Sequence, residues 1–132
     1  MSEILNFLNE AKVFYLATAD GNKPRVRPFG FVMEFEGKLY FCTSGSKPSF
    51  EQLNANPNVE ISTAIENKGW LRVSGEAVFD TRSEVSEKIF ETAPQLKDMY
   101  GKPDSPALKP FYIKNGEATF SSMTAAPRTV KF

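Results

Sequence analysis

The sequence predicts a mainly β, α+β domain: about six short antiparallel strands curled into a small barrel, with helices at its periphery. Three observations carry this. Short runs rich in β-branched and aromatic residues recur along the chain. Turn signals separate them, at Asp20-Gly21-Asn22, Glu36-Gly37 and Asn67-Lys68-Gly69. Helical periodicity is confined to three pieces. Short antiparallel strands of this kind tend to close on themselves. The 132 residues fit one domain, 1–132, able to bury a core without disulfide staples.

Residues 3–12 place Ile4, Leu5, Leu8 and Ala11 on one helical face, with Ser2 as an N-cap. "VFYLATA" reads as a strand. "KPRVRPFGFVMEF" alternates over part of its length, with Arg25 and Arg27 on one face and Val26 and Pro28 on the other. Its prolines and Gly30 mark an irregular or edge strand. The Glu36-Gly37 turn makes "KLYFCT" its hairpin partner. Pro48 suits the first position of a short helix carrying Phe50 and Leu53, which stops near Asn56-Pro57. "VEISTAI" and "WLRVSGEAVF" are strands, and Gly75 marks a bulge or a bend. "TRSEVSEKIFETAPQLKDMYG" is helical with a break at Pro94. "KPDSPALKP" is a loop. "FYIKNGEATFSS" reads as a closing hairpin about Asn115-Gly116.

Composition narrows the function. Lys plus Arg equals Asp plus Glu, 16 each, so there is no electrostatic footprint for nucleic acid or an acidic membrane. Hydrophobic residues make up 41%, and no apolar run approaches a spanning helix, which points to a cytoplasmic protein with no membrane association. The N-terminus lacks a basic region ahead of an apolar core, so no secretory signal is expected. The single cysteine, Cys42, allows no internal disulfide. With no histidine, Ser-His-Asp and Cys-His nucleophiles, ordinary zinc sites and a haem with a proximal His are all missing their key ligand or base. No metal is expected. Chemistry near neutral pH therefore points to a reactive group borrowed from a cofactor, with a carboxylate mechanism as the remaining alternative.

The stretch "YFCTSGSKPSFEQL" is where a ligand is expected. It fails as a nucleotide P-loop, because the order is Gly-Ser-Lys and Tyr40 stands where the first glycine belongs. It fails as a Rossmann turn, because only Gly45 is present. Two readings stay open. One is a plain polar turn in which Ser46 caps the helix and Lys47 is solvated. The other is an anion cradle built from the Thr43 and Ser44 hydroxyls, free N–H groups at the helix start, and one ammonium. Arg25 and Arg27, on a strand expected beside "KLYFCT", favour the cradle. A small barrel is filled by its own side chains, so a bulky ligand would sit in a wall groove or between two subunits.

In the order "YLATADGNKPRVRPFGF", "KLYFCTSGSKPSFEQLNANPNVEI", "WLRVSGEAVF", the chain resembles the pyridoxamine 5′-phosphate oxidase-like superfamily, the FMN-binding split β-barrel proteins. The resemblance runs from about residue 3 to the C-terminus. It implies a six-stranded split barrel and a homodimer with FMN in grooves between subunits. It places Arg25, Val26, Arg27 and Pro28 along the isoalloxazine edge, and Cys42, Thr43 and Ser44 along the ribityl chain and phosphate. Ser46 and Lys47 would complete the phosphate cradle, with Gln52 a further cofactor contact. The partner subunit would add residues near Trp70 to Arg72, where Trp70 either stacks on the flavin or packs in the core or interface. Cys42, with no base beside it, reads as a packed thiol rather than a nucleophile.

True pyridoxamine phosphate oxidases grip substrate phosphate with a C-terminal segment rich in basic and His residues. "SSMTAAPRTVKF" offers Arg128 and Lys131 and no His. The resemblance therefore implies an FMN-dependent oxidoreductase that passes hydride or electrons to another small organic acceptor, similar to the general flavin reductases and nitroimidazole-reductase-like members. The alternatives are a flavin electron carrier, a deazaflavin-binding relative, and a barrel that has lost its cofactor.

Overall fold

One antiparallel sheet carries all eight strands, and its two ends are consecutive in the chain. The computed structural model describes all 132 residues. Helix α1 (Ser2–Ala11) leads into β1 (Phe14–Asp20) and β2 (Lys23–Phe29). There follow β3 (Met33–Phe35), β4 (Lys38–Ser44), α2 (Pro48–Ala55), β5 (Asn58–Ile65) and β6 (Gly69–Phe79). Then come α3 (Ser83–Thr92), a 3₁₀ turn (Pro94–Leu96), the single-turn α4 (Lys97–Tyr100), β7 (Leu108–Ser121) and β8 (Arg128–Lys131). The strand order is β2-β1-β5-β6-β7-β4-β3, with β8 on β7.

The sheet curls without closing, because its end strands β2 and β3 do not pair with each other. Ser44 to Tyr40 of β4 pair with Leu108 to Tyr112, and β8 pairs with Glu117 to Phe120. The gap between β2 and β3 is the split of the barrel. The end strands β2 and β3 are joined only by Gly30, Phe31 and Val32, which carry the chain across the opening. Inside, Phe14, Leu16, Phe41, Ile61, Leu71, Val73 and Phe111 form the main core, closed at one end by Ile4 and Leu8 of α1. A second cluster, Met33, Tyr40, Val85, Ile89, Phe90 and Leu108, seats α3.

The expected helices, the β1–β2 and β3–β4 hairpins and the Gly75 bulge are all present. Glu36 (φ 53°) and Gly37 (φ 74°) give the two positive φ angles of a tight hairpin turn. Three expectations change. The strand count is eight instead of six, in part because "KPRVRPFGFVMEF" breaks at Gly30 into β2 and β3. For the same reason the arginine strand pairs with β1, not with β4. Finally, Asn115-Gly116 makes no hairpin, since β7 runs through it to Ser121. Asn115 does adopt the positive φ of 54° that its turn chemistry favours. That angle serves a bulge, where pairing slips from Ser74↔Glu117 to Glu76↔Lys114 opposite Gly75. A Cβ on Gly75 would fall 2.4 Å from Ile113 Cγ2, so the close approach needs glycine there. The backbone of Gly116 pairs with Phe132, whose ring lies over it.

A polar clamp ties the β3–β4 turn to the start of α3. The buried Tyr40 hydroxyl donates to Asp80 Oδ2 at 2.7 Å, and Arg82 donates to both Asp80 oxygens and to Glu36. Arg82 first, then Tyr40, hold the Asp80 carboxyl down at about 2, against its partial burial, which acts the other way. A depressed carboxyl stabilises the fold above its ordinary value of 3.8, and that contribution is lost as pH falls from there through about 2. Urea unfolding at stepped pH should therefore show stability falling between pH 4 and 2, more steeply in wild type than in Asp80→Asn. Equal slopes would remove the clamp from the account.

Candidate functional site

A cavity of about 390 Å³ lies at the split, between the end of β2 and the end of β4. That size is within the ~300–1,000 Å³ common for small-ligand sites. Its polar half is formed by Arg27, Thr43, Ser44, Lys47 and Ser49. Its apolar half is formed by Phe31, Ala93, Leu96, Met99 and Tyr100, the last four from the segment that follows α3. Arg27 and Lys47 both line it, and no acidic side chain does.

Each polar group is placed by its element. Thr43 and Ser44 end β4, where its pairing with β7 finishes at Leu108. The Thr43 and Ser49 hydroxyls lie 2.7 Å apart, linking the strand end to the first turn of α2. Ser44 and Ser46 hydroxyls lie 3.0 Å apart across the turn. Lys47 is the N-cap residue of α2, in extended backbone (φ −92°, ψ 147°), with Pro48 following. Its ammonium forms no salt bridge and no hydrogen bond within the chain. An unpaired ammonium beside a helix start and several hydroxyls attracts an anion.

Arg27 is held on the opposite wall. Its Nη1 donates to the Leu16 carbonyl at 3.2 Å and to Thr18 Oγ1 at 2.8 Å, and its Nη2 donates to Gln52 Oε1 at 2.7 Å. Partial burial lowers its pKa from the usual arginine value. Burial also pushes the Cys42 thiol up to about 12, with nearby Lys47 pulling weakly the other way. Tyr100 is raised as well, by burial and then by Cys42.

Of the residues singled out in the sequence, Arg27, Pro28, Cys42, Thr43, Ser44 and Lys47 are brought together on this cavity. Arg25 is not among them. It points along the strand face to Asp20, with Nε 3.1 Å from Oδ2, and both side chains are half exposed. Val26 faces outward and is 67% exposed. Ser46 is exposed and makes no side-chain cap to α2. Gln52 meets Arg27 and Thr18 rather than the cavity. Trp70 also lies away from it.

The family model for pyridoxamine 5′-phosphate oxidase matches residues 1–128. The chain belongs to the pyridoxamine 5′-phosphate oxidase-like family. It is similar to the crystal structure of a NimC/NimA family protein from Clostridium acetobutylicum, with 43% identity over 100% of this chain and 92% of that one, and a TM-score of 0.95. General Stress Protein 26 from Bacillus anthracis shares the fold at 17% identity, over 98% of this chain and 97% of that one, with a TM-score of 0.78. A FAD-binding protein from Mesorhizobium loti shares it at 18% identity, over 89% and 90%, with a TM-score of 0.59. No curated protein matches in sequence.

Sequence reasoning did not single out Ser49 or the Ala93–Tyr100 wall, which line this cavity. Ser49 was open to discovery, two residues beyond Lys47 behind a helix-starting proline. The wall had no local signal, because only tertiary packing of the segment after α3 brings it here. No group of His, Cys, Asp and Glu side chains is arranged to hold a metal, and no helix is long and apolar enough to cross a membrane.

The raised thiol gives a direct check. At pH 8 the native protein should react with iodoacetamide at Cys42 far more slowly than the urea-unfolded chain, since thiolate is the nucleophile. Equal rates, followed by mass spectrometry, would contradict the burial described here.

Proposed function

We propose that the protein binds FMN in the cavity at the split and acts as an FMN-dependent oxidoreductase toward a small organic acceptor other than pyridoxamine phosphate. The observation that carries this reading is the charge of the cavity: two cationic side chains, several hydroxyls and no acid. Its donor set suits the group. Lys47, the Ser44 hydroxyl and the start of α2 would hold the phosphate as charge-assisted contacts. Arg27 would face the ring edge, and the apolar wall would take the ring's hydrocarbon part. Membership of the family supports a flavin over other anions. When bound, the flavin would supply hydride or electron transfer, which no side chain of the cavity offers. The residues themselves bind, orient and shield.

A homodimer belongs to this reading. Val13, Tyr15 and Val26 are exposed on the outer side of β1 and β2, an apolar surface that a second copy would cover. Sedimentation at micromolar concentration should give twice the 14.8 kDa chain mass. A monomer with flavin bound would remove the shared-groove arrangement and leave the cofactor reading standing.

The decisive experiment is the visible spectrum of the purified protein and identification of the released chromophore. Added FMN should bind, and Lys47→Ala should weaken it by about 1.5–3 kcal/mol, the worth of a hydrogen bond to a charged group. Unchanged affinity would mean that the ammonium is merely solvated. Reduction of bound flavin by NADH or NADPH in stopped flow, then reoxidation by an organic acceptor, would support the enzyme. No reduction by either nucleotide would favour the electron-carrier alternative.

A further inference from the structure

Arg27 is a guanidinium with most of its donors already committed. A guanidinium has five N–H groups in a planar fork. Both N–H groups of Nη1 are in use, on the Leu16 carbonyl and on Thr18 Oγ1. One N–H of Nη2 goes to Gln52 Oε1. The Thr18 hydroxyl, having accepted from Arg27, donates to the same Gln52 oxygen at 2.5 Å. The Thr18 side chain is buried, so its hydroxyl has no solvent alternative. Three groups from three elements, β1, β2 and α2, thus form one closed ring of hydrogen bonds. What remains unpartnered is Nε and the second hydrogen of Nη2. These lie on one side of the fork, the side that grips a planar pair of acceptors in bidentate fashion.

We infer that Thr18 and Gln52 are positioning residues, which fix the Arg27 fork so that its Nε–Nη2 edge is offered to the cofactor in the cavity. The inference rests on the flavin reading for the identity of the ligand, but the ring of hydrogen bonds exists without one. It reassigns Gln52 from a cofactor contact to a residue acting through Arg27. It also separates the two arginines of the Arg-x-Arg strand. Arg25, paired with Asp20 and half exposed, has no such frame.

The test begins in the cofactor-free protein. Nitrogen-15 NMR of the guanidinium groups should show two resolved Nη signals for Arg27, because rotation is blocked. Gln52→Leu should collapse them to one, and Gln52→Glu, which keeps an acceptor, should preserve them. Thr18→Val should act like Gln52→Leu. If the buried valine fails to fold, the half-exposed Gln52 on α2 still decides the matter. FMN titration should then show the dissociation constant rising about tenfold in Gln52→Leu, the loss of roughly one charge-assisted contact. Adding Gln52→Leu to Arg27→Ala should cost nothing further, since the glutamine acts through the arginine. The flavin midpoint potential should fall in Gln52→Leu in the same sense as in Arg27→Ala. Two Nη signals persisting in Gln52→Leu, or additive losses in the double variant, would overturn the inference. Absence of FMN binding in wild type would sink the flavin reading, and the NMR result would still decide whether the residues fix Arg27.

Discussion

The missing pairing between the end strands β2 and β3 is the constraint from which the site follows. The path of the sheet ends at β2 and β3, which do not pair. Since these two are joined by three residues, the open ends are held opposite each other. Arg27 and Lys47 meet across that opening although neither of their elements pairs with the other. A closed barrel would fill this space with core side chains. The opening is wide enough to bring backbone ends, hydroxyls and charges to one place.

The two cations play different parts because they are bound differently. Arg27 is framed by its own chain, so its orientation is fixed before any ligand arrives. Lys47 is a point charge on a flexible stem at the helix start, able to follow an anion. Preorganised donors lose little entropy on binding and discriminate by geometry, while a mobile ammonium contributes attraction with little directionality. That combination suits a ligand with a planar polar edge at one end and a charged tail at the other.

Local patterns made the fold legible where the decisive interaction was local. The tight turns at Gly21 and Gly37, the proline start of α2 and the break at Pro94 all rest on backbone preferences of one or two residues. The Asn115-Gly116 error shows the limit. The dipeptide states a positive φ correctly, but whether that φ turns a hairpin or relieves a bulge depends on how far β6 extends beside it. In the site, the strand-to-helix stretch was readable because Thr43, Ser44 and Lys47 are close in sequence. Arg25 and Arg27 were indistinguishable, since alternation puts them on one face. What separates them is Gln52 on α2, which reaches one arginine and not the other.

The cavity's chemistry is limited by what it lacks as much as by what it holds. It has no carboxylate and no imidazole, and its thiol is pushed up to about 12. Tyr100 is raised too, so neither the Cys42 thiol nor the Tyr100 phenol ionises easily. Each new negative charge near Arg27 and Lys47 would be welcome electrostatically, yet burial outweighs that attraction for the protein's own groups. A ligand that arrives already charged has partly given up its hydration to a framed guanidinium and a helix start instead of to hydrocarbon. The cavity's own side chains thus supply positive charge and hydroxyls rather than an anion. Under the reading proposed above, the bound group would bring both its charge and its reactivity to the cavity.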